Sequence, residues 1–553
     1  MKGGHLLTAG AVVAFTLLSY AVFPGRLYIH NDTQIYLPIL ERFYDSSLFA
    51  KDLIATQPHV SFTIYDEVAL FARRVLNLGF RETLFAQQFI FRAAGILGIL
   101  LIGQALGLSR RMALLGGAVF ALGAWIYGPT ILTVEFEPVP RGFAAPLLLL
   151  GVGLAAHGRD LAAGIAVGIA FLYHPPTVYP FWLVYFCLTL WPGKPEVMQR
   201  RILGLLPMFA SVILLFAMSR LQIGESEKQD LFGRIDDFQA NLQRMRASYN
   251  WISVWGPSLV WHHLTVWILG MLAFCRVRRY ANQDLKFFLM GLPLIGMLSM
   301  PASYWLLEKM RFAVVPQFQP MRALLFVTVV FLICVCAAGI TAARERRPWE
   351  AVAWFFAVFL IPLQFRAEQM LSLNWFDPSN RRRLLLALAF SGIAATAAWL
   401  EKNRPRWSAL ALAWAVLLPF FLLPAYGRLR PFRRADSPEL AELSSWARTS
   451  TPKDAVFFFP RAGVDPSPGI FRVGALRAVY VDWKSGGQVN YLRKYSEEWW
   501  SRYEGTKVIQ PKRATLPQYA QMGIDYLVIP AARRIAGLAA LYENRRFVVY
   551  STR

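Results

Sequence analysis

Apolar residues fill long blocks of this chain, at 5–23, 85–106, 111–128, 141–157, 160–173, 176–192, 203–219, 258–277, 285–301, 322–343, 349–366, 383–400 and 406–424, with short polar links between them. A helix that crosses a bilayer needs about 20 apolar residues, so the blocks predict about thirteen transmembrane helices. The block at 160–173 is short and runs into His174-Pro175-Pro176. That fits either two spans or a broken, re-entrant pair, and it leaves the count open by about two. No small-residue cleavage site follows the first block, so it is expected to stay as a membrane helix rather than leave as a signal peptide.

The links alternate in charge. Arg110-Arg111, Lys194 with Arg200-Arg201, Arg276 with Arg278-Arg279, Arg344 with Arg346-Arg347, and Lys402 with Arg404 and Arg406 fall on every second one. Basic links mark the cytoplasmic side, so the N-terminus is expected inside, with the loop at 24–84 and everything after Tyr426 outside. Arg381-Arg382-Arg383 falls on an outward link, against the trend, and a half-spanning segment near 365–400 would account for it.

Beyond about 435 the period changes. Ser437-Pro438 opens a capped helix running to Thr449. Buried strands are expected at 455–459, 478–482, 526–529 and 547–550, with helices near 490–503, 516–522 and 535–542. The fold class is therefore mainly α: a polytopic transmembrane helix bundle over 1–426, then a small α/β extracytoplasmic domain over 435–553. That tail carries no glycine-rich phosphate loop and no nucleophile elbow.

Composition agrees with a life in lipid. Hydrophobic residues make up 56% of the chain, and the mean hydropathy is +0.39. The net charge of +24 sits in short clusters between apolar blocks rather than along one face. That pattern serves topology and contact with anionic membrane lipid, and no nucleic-acid recognition motif accompanies it. Cys187, Cys275, Cys334 and Cys336 lack zinc-site spacing, and the tail has no cysteine.

Polar residues of unusual kinds collect on the outward links. The first loop leaves the membrane as Tyr28-Ile29-His30-Asn31-Asp32-Thr33-Gln34-Ile35-Tyr36. An acid a few residues past a membrane helix sits at the lipid–water boundary, where an amphiphilic donor and a polar acceptor can meet. The architecture and this loop resemble the GT-C superfamily of membrane glycosyltransferases, which take sugars from polyprenyl-phosphate or polyprenyl-diphosphate carriers. The resemblance implies that Asp32, in the first extracytoplasmic loop, is the catalytic base of an inverting transfer to a glycan, lipid or protein acceptor in a bacterial inner membrane. Asn31 stands where many members carry a second acid. The tail segments Val481-Asp482-Trp483-Lys484 and Gly523-Ile524-Asp525-Tyr526-Leu527-Val528 are similar to tails of bacterial GT-C-like proteins. No cofactor is read from the sequence, and a divalent metal stays compatible with the acid-bearing loop.

Transfer from a lipid phosphate also needs a cation for the departing phosphate. Arg322 opens an outward-facing end of a span, preceded by Gln317 and Gln319, and its guanidinium matches phosphate; Arg141 is the second choice. Glu135 and Glu137 stand beside Arg141 at membrane depth, where acids are functional or paired, and Glu137 with Arg141 is the expected internal pair. His174 either touches a sugar or phosphate or bonds a helix-end carbonyl. Asp66 and Glu67 either add carboxylates to the Asp32 site or belong to an amphipathic helix on the bilayer, with Phe62, Ile64, Val68 and Leu70. His262-His263 lacks metal-site spacing and is expected at headgroup level.

Two other classes remain. Many spans also suit a lipid or polysaccharide transporter, although no internal repeat is visible. A noncatalytic envelope assembly protein would use Trp483, Trp499 and Trp500 as interface anchors if they are exposed.

Overall fold

The computed structural model describes residues 2–56, 63–221, 232–372 and 377–553. Phe62 and part of the polar outward link near 220–257 lie outside these residues. Among the described residues seven helices are long and apolar enough to cross a membrane: Phe80–Ala105, Pro195–Arg220, Pro257–Val277, Gln283–Lys309, Val314–Arg344, Pro378–Leu400 and Pro405–Ala425. The chain is an integral membrane protein. Shorter apolar helices occupy the other blocks, at His5–Ala21, Pro140–Ala156, Asp160–Tyr173 and Pro348–Leu360, with Arg110–Ala121 and Pro175–Leu190 beside them.

Two blocks end early for identifiable reasons. The block expected to span to 128 stops at Ala121. Gly123 and Gly128 take positive φ, and the chain turns through a short antiparallel hairpin of β1 (Trp125–Ile126) and β2 (Ile131–Leu132). The block at 349–366 stops at Leu360, and the Gln364 carbonyl accepts a bond from the Tyr127 hydroxyl at 3.1 Å. At 160–192 the chain forms two separate helices that meet at His174, whose backbone belongs to neither.

Leu324–Arg344 is buried on all sides, as expected of a helix that is hydrophobic all round, and the other helices pack about it. At one end of the bundle the basic links find acids. Arg201 meets Asp284 at 2.6 Å, Arg276 meets Glu350 at 2.8 Å, and Arg344 meets Glu401 at 2.7 Å. Arg383 instead bonds the Gly427 carbonyl at 3.0 Å, at the opposite end, where the tail begins.

In the tail, Ser437 Oγ accepts from the Leu440 N–H at 3.2 Å and starts the helix Pro438–Ser450. Five strands follow: β3 (Val456–Phe458), β4 (Ala478–Val479), β5 (Tyr526–Pro530), β6 (Tyr542–Glu543) and β7 (Phe547–Ser551), ordered β4-β3-β5-β7-β6. β3 runs parallel to β4 and β5, while β7 is antiparallel to β5 and β6. The helix Ser467–Ala475, not anticipated from the sequence, makes the crossover from β3 to β4 that parallel pairing requires. The helix expected at 535–542 does not form: Gly537 takes a positive φ, and Leu541 N–H bonds the Val549 carbonyl at 2.9 Å, starting β6 instead.

The tail is seated on the first loop. Ile35, Ile39, Leu53 and Ile54 share one apolar core with Phe458, Val481, Val489, Leu492 and Trp499. Residues from the two ends of the sequence thus build one layer.

Candidate functional site

The helix Thr33–Tyr44 begins directly after Asp32. The backbone N–H groups that lead into it, from Asn31 to Thr33, meet the buried carboxylate of Glu137. Glu137 Oε1 accepts from Asn31 N at 2.6 Å and Thr33 Oγ1 at 2.7 Å, while Oε2 accepts from Asp32 N at 3.0 Å. Glu137 therefore fixes the backbone on both sides of Asp32. Burial, then the Asp32 charge, pushes the Glu137 carboxyl up, opposed by these hydrogen bonds.

The expected pair of Glu137 with Arg141 is not formed. Arg141 bonds Glu135 instead, Nε to Oε1 at 2.9 Å, because Glu137 is committed to the backbone. The other edge of the guanidinium reaches Asp32, with Nη1 2.5 Å from Oδ2. Lys484 of the tail donates to Asp32 Oδ1 at 2.6 Å. Burial would raise the Asp32 carboxyl, but Lys484 and Arg141 outweigh it and hold it far below the usual carboxylate range.

Lys484 is placed by a tight turn. The segment Lys484–Asn490 winds as a 3-10 helix. A Cβ at Gly486 would stand 2.5 Å from the Trp499 ring, and one at Gly487 would stand 2.9 Å from Ile35 Cδ1. Arg246, from the helix Asp237–Arg246, lies 3.9 Å over the Trp483 ring and donates to the Trp483 carbonyl at 2.5 Å. Below the turn, Arg472 joins Asp52 of the first loop to Asp482, each at 2.7 Å.

Arg322 approaches from the other side. Its Nη1 lies 3.4 Å from His174 Nε2, and His174 Nδ1 lies 2.7 Å from Thr177 Oγ1. A ring nitrogen facing a guanidinium acts as acceptor, which leaves Nδ1–H to donate to Thr177. The helix-end carbonyl expected for His174 is not its partner. Among the described residues Arg322 has no carboxylate partner, and its buried Nε has no hydrogen-bond partner; the same holds for Gln319 Oε1. Gln319 Nε2 donates to the Tyr491 hydroxyl, and Tyr249 lies 6.0 Å from the Arg322 guanidinium. Burial, then the Asp32 charge, pushes the Tyr36 phenol up to about 12, and the Arg141 and Arg322 charges also act on it. Tyr36 thus stands in the field of both the acid and the unpaired cation.

Asp32, Arg141, Glu135, Glu137 and Asn31 come together directly, with Arg322, His174 and Gln319 around a second centre. Asp66 is buried at the start of the helix Tyr65–Val75, and Glu67 follows it. That helix is amphipathic, leaving Phe71 and Val75 exposed. His262 and His263 are buried within the protein, near the start of the helix Pro257–Val277: His262 Nδ1 accepts from Ala367 N at 3.1 Å, and His263 Nε2 lies 2.8 Å from the Tyr127 carbonyl. Trp499 is fully buried, so it does not serve as an exposed anchor.

The residues do not suit a divalent metal at Asp32, since both carboxylate oxygens already face cations. Among the described residues no cluster of three or more His, Cys, Asp or Glu side chains is placed to hold one. Lys484, Tyr36, Tyr249 and Tyr491 were not singled out from the sequence. Lys484 had one clue, its place in the tail segment Val481-Asp482-Trp483-Lys484.

A family model described as a domain of unknown function (DUF6798) matches residues 438–505. No curated protein matches the chain in sequence. Among solved structures, ArnT from Cupriavidus metallidurans bound to undecaprenyl phosphate is 13% identical with a TM-score of 0.49, covering 100% of this chain and 98% of that one. ArnT in the apo state is 13% identical with a TM-score of 0.44 and the same coverage. Arabinofuranosyltransferase AftD from Mycobacteria is 12% identical with a TM-score of 0.44, and this chain spans 40% of its length.

Proposed function

We propose that the chain is a membrane glycosyltransferase that moves a sugar from a polyprenyl-phosphate or polyprenyl-diphosphate donor to an acceptor hydroxyl outside a bacterial inner membrane, with inversion. In this reading the N-terminus is cytoplasmic and the tail from about 435 is extracytoplasmic. The observation that carries it is the pairing of an acid held by two cations, Asp32, with a nearby guanidinium, Arg322, that has no acid of its own. A buried donor left without a partner calls for an explanation, and a bound phosphate supplies one here.

A carboxylate held far below its usual range is a weak base. The donor's phosphate resolves this. As it binds Arg322, it also competes for Arg141 and Lys484, and each cation it draws away raises the basicity of Asp32. Asp32 then takes the proton of the acceptor hydroxyl as that oxygen bonds the anomeric carbon. The bond from the anomeric carbon to the phosphate oxygen breaks, and the phosphate leaves on its polyprenyl chain, stabilised by Arg322. Glu137 and Glu135 are positioning residues: the first fixes the Asp32 backbone, the second orients Arg141.

The test is release of sugar from radiolabelled polyprenyl-phosphate donors by the purified protein and by Asp32→Asn. Loss of general-base help costs about 10²- to 10⁴-fold, so turnover should collapse while the protein stays folded. An unchanged rate in Asp32→Asn, or retained anomeric configuration in the product, overturns the mechanism. Donor binding by both proteins without turnover by either would favour transport instead.

A further inference from the structure

A polar cavity of about 530 Å³ opens between the first loop and the tail, and it shares no residue with the Asp32 cluster. Five arginines line it, Arg26, Arg73, Arg81, Arg434 and Arg448, against two acids, Glu41 and Asp436. Both acids are accounted for. Asp436 is bonded to Arg434 at 2.9 Å, and Glu41 lies 4.0 Å from Arg73.

The other three arginines have no acid within ion-pair distance among the described residues. The Arg26 guanidinium stacks 3.4 Å from the centre of the Phe85 ring, and that of Arg81 lies 5.7 Å from the Tyr28 ring. At Arg448 the backbone carbonyl accepts a hydrogen bond from Arg477 Nη2 at 2.8 Å, while the guanidinium charge acts on Glu41 from beyond ion-pair distance. Gathering like charges is unfavourable unless an anion joins them, and guanidinium groups match the oxygens of a phosphate.

The position of the cavity says what kind of anion. Arg26 follows the first apolar helix by a few residues, and Arg81 is the second residue of the spanning helix Phe80–Ala105. The cavity therefore sits at the hydrocarbon boundary. Beside it, the helix Tyr65–Val75, which supplies Arg73, leaves Phe71 and Val75 exposed, and Leu76 and Leu78 continue the apolar strip. A cationic cup next to an uncovered apolar strip suits a molecule with a phosphate head and hydrocarbon tails.

We infer that this cavity binds the phosphate headgroup of an anionic phospholipid, at a site separate from the donor site and independent of the proposed transfer. The lipid joins the first loop, through Arg26 and Arg81, to the tail, through Arg448.

The experiment uses the full-length protein, delipidated in detergent and titrated with phosphatidylglycerol or phosphatidylcholine, with bound lipid counted by native mass spectrometry and unfolding followed by heat. The parent should hold phosphatidylglycerol in preference and melt at higher temperature with it. Each basic residue near a lipid surface is worth about fivefold in affinity, and removing three of them (R26Q, R81Q and R448Q together) should weaken retention at least about tenfold. A control removing the same charge at the other end of the bundle (K402Q, R404Q and R406Q together) should keep the preference. Equal loss in the control would reduce the effect to overall charge and overturn the site. Displacement of the lipid by millimolar inorganic phosphate would assign the cavity to a free anion and overturn the lipid.

Discussion

Two ion triads join the first loop to the tail, and they are built with opposite charge. In one, a single cation, Arg472, stands between Asp52 and Asp482, with side chains 1%, 0% and 2% exposed. In the other, a single acid, Asp32, stands between Arg141 and Lys484, with side chains 23%, 14% and 21% exposed. The closed triad is further tied to backbone, since Asp52 also accepts from Val479 N at 2.9 Å. Its groups have nowhere else to turn. The open triad is more exposed, its Arg141 is shared with Glu135, and it faces Arg322, which among the described residues has no carboxylate partner, so an anion can compete with the acid there. Asp482 and Lys484 are two residues apart, and the same short turn serves as anchor on one side and as site on the other.

The largest effect should separate the two triads. Replacing Arg472 by Met leaves two buried carboxylates without their cation, which costs about 3–5 kcal/mol. The tail should leave the first loop, read as an early step in thermal unfolding and new protease cleavage after Tyr426. A variant that melts like the parent would end the distinction. The Asp482 carboxyl is pushed up by burial but lowered further by Arg472. Its stabilising contribution is thus present above the unfolded value of about 3.9 and lost as pH falls through the lower folded value.

Arg322→Met should act in the reverse sense. Loss of one donor to a developing anion costs about 10²- to 10³-fold in turnover, and the melting temperature should hold, because no acid is left behind. If the melting temperature falls instead, Arg322 is a structural cation.

Glu137→Gln comes next. Hydrogen bonds to a charged group contribute about 1.5–3 kcal/mol, so the variant should be moderately less stable. Its activity should fall because Asp32 is no longer fixed, a loss that Glu135→Gln would share only through Arg141.

Lys484→Met sharpens the comparison most finely. The Lys484 charge is the chief influence lowering the Asp32 carboxyl against burial. Without it the carboxyl rises, Asp32 is protonated at higher pH, and activity on the acid side is lost earlier. The acid limb of kcat/KM should move up by about 1 to 3 pH units; an unmoved limb means that Asp32 is not the titrating base.

Much of the helical bundle was legible because burial in lipid demands unbroken apolar blocks. The misreadings lie where local geometry decides. Glycines at 123 and 128 turned an expected helix into a hairpin, and an apolar run near 535–542 became part of a sheet edge because β7 offered it a partner. In the site, spacing placed Glu135, Glu137 and Arg141 together but could not say which acid takes the arginine, since that depends on orphan N–H groups of another segment. Lys484 was out of reach for a different reason. The acid nearest it in sequence, Asp482, is taken by Arg472, and its own partner lies on the first loop.

The separation between those two residues sets a timetable. Asp32 and Lys484 stand 452 residues apart, and at about 5–20 residues per second of synthesis the lysine emerges about 20 to 90 s after the aspartate. Through that interval the nascent protein already carries its acid without the second counter-charge, and only synthesis of the segment that bears Lys484 gives the acid its full complement of cations.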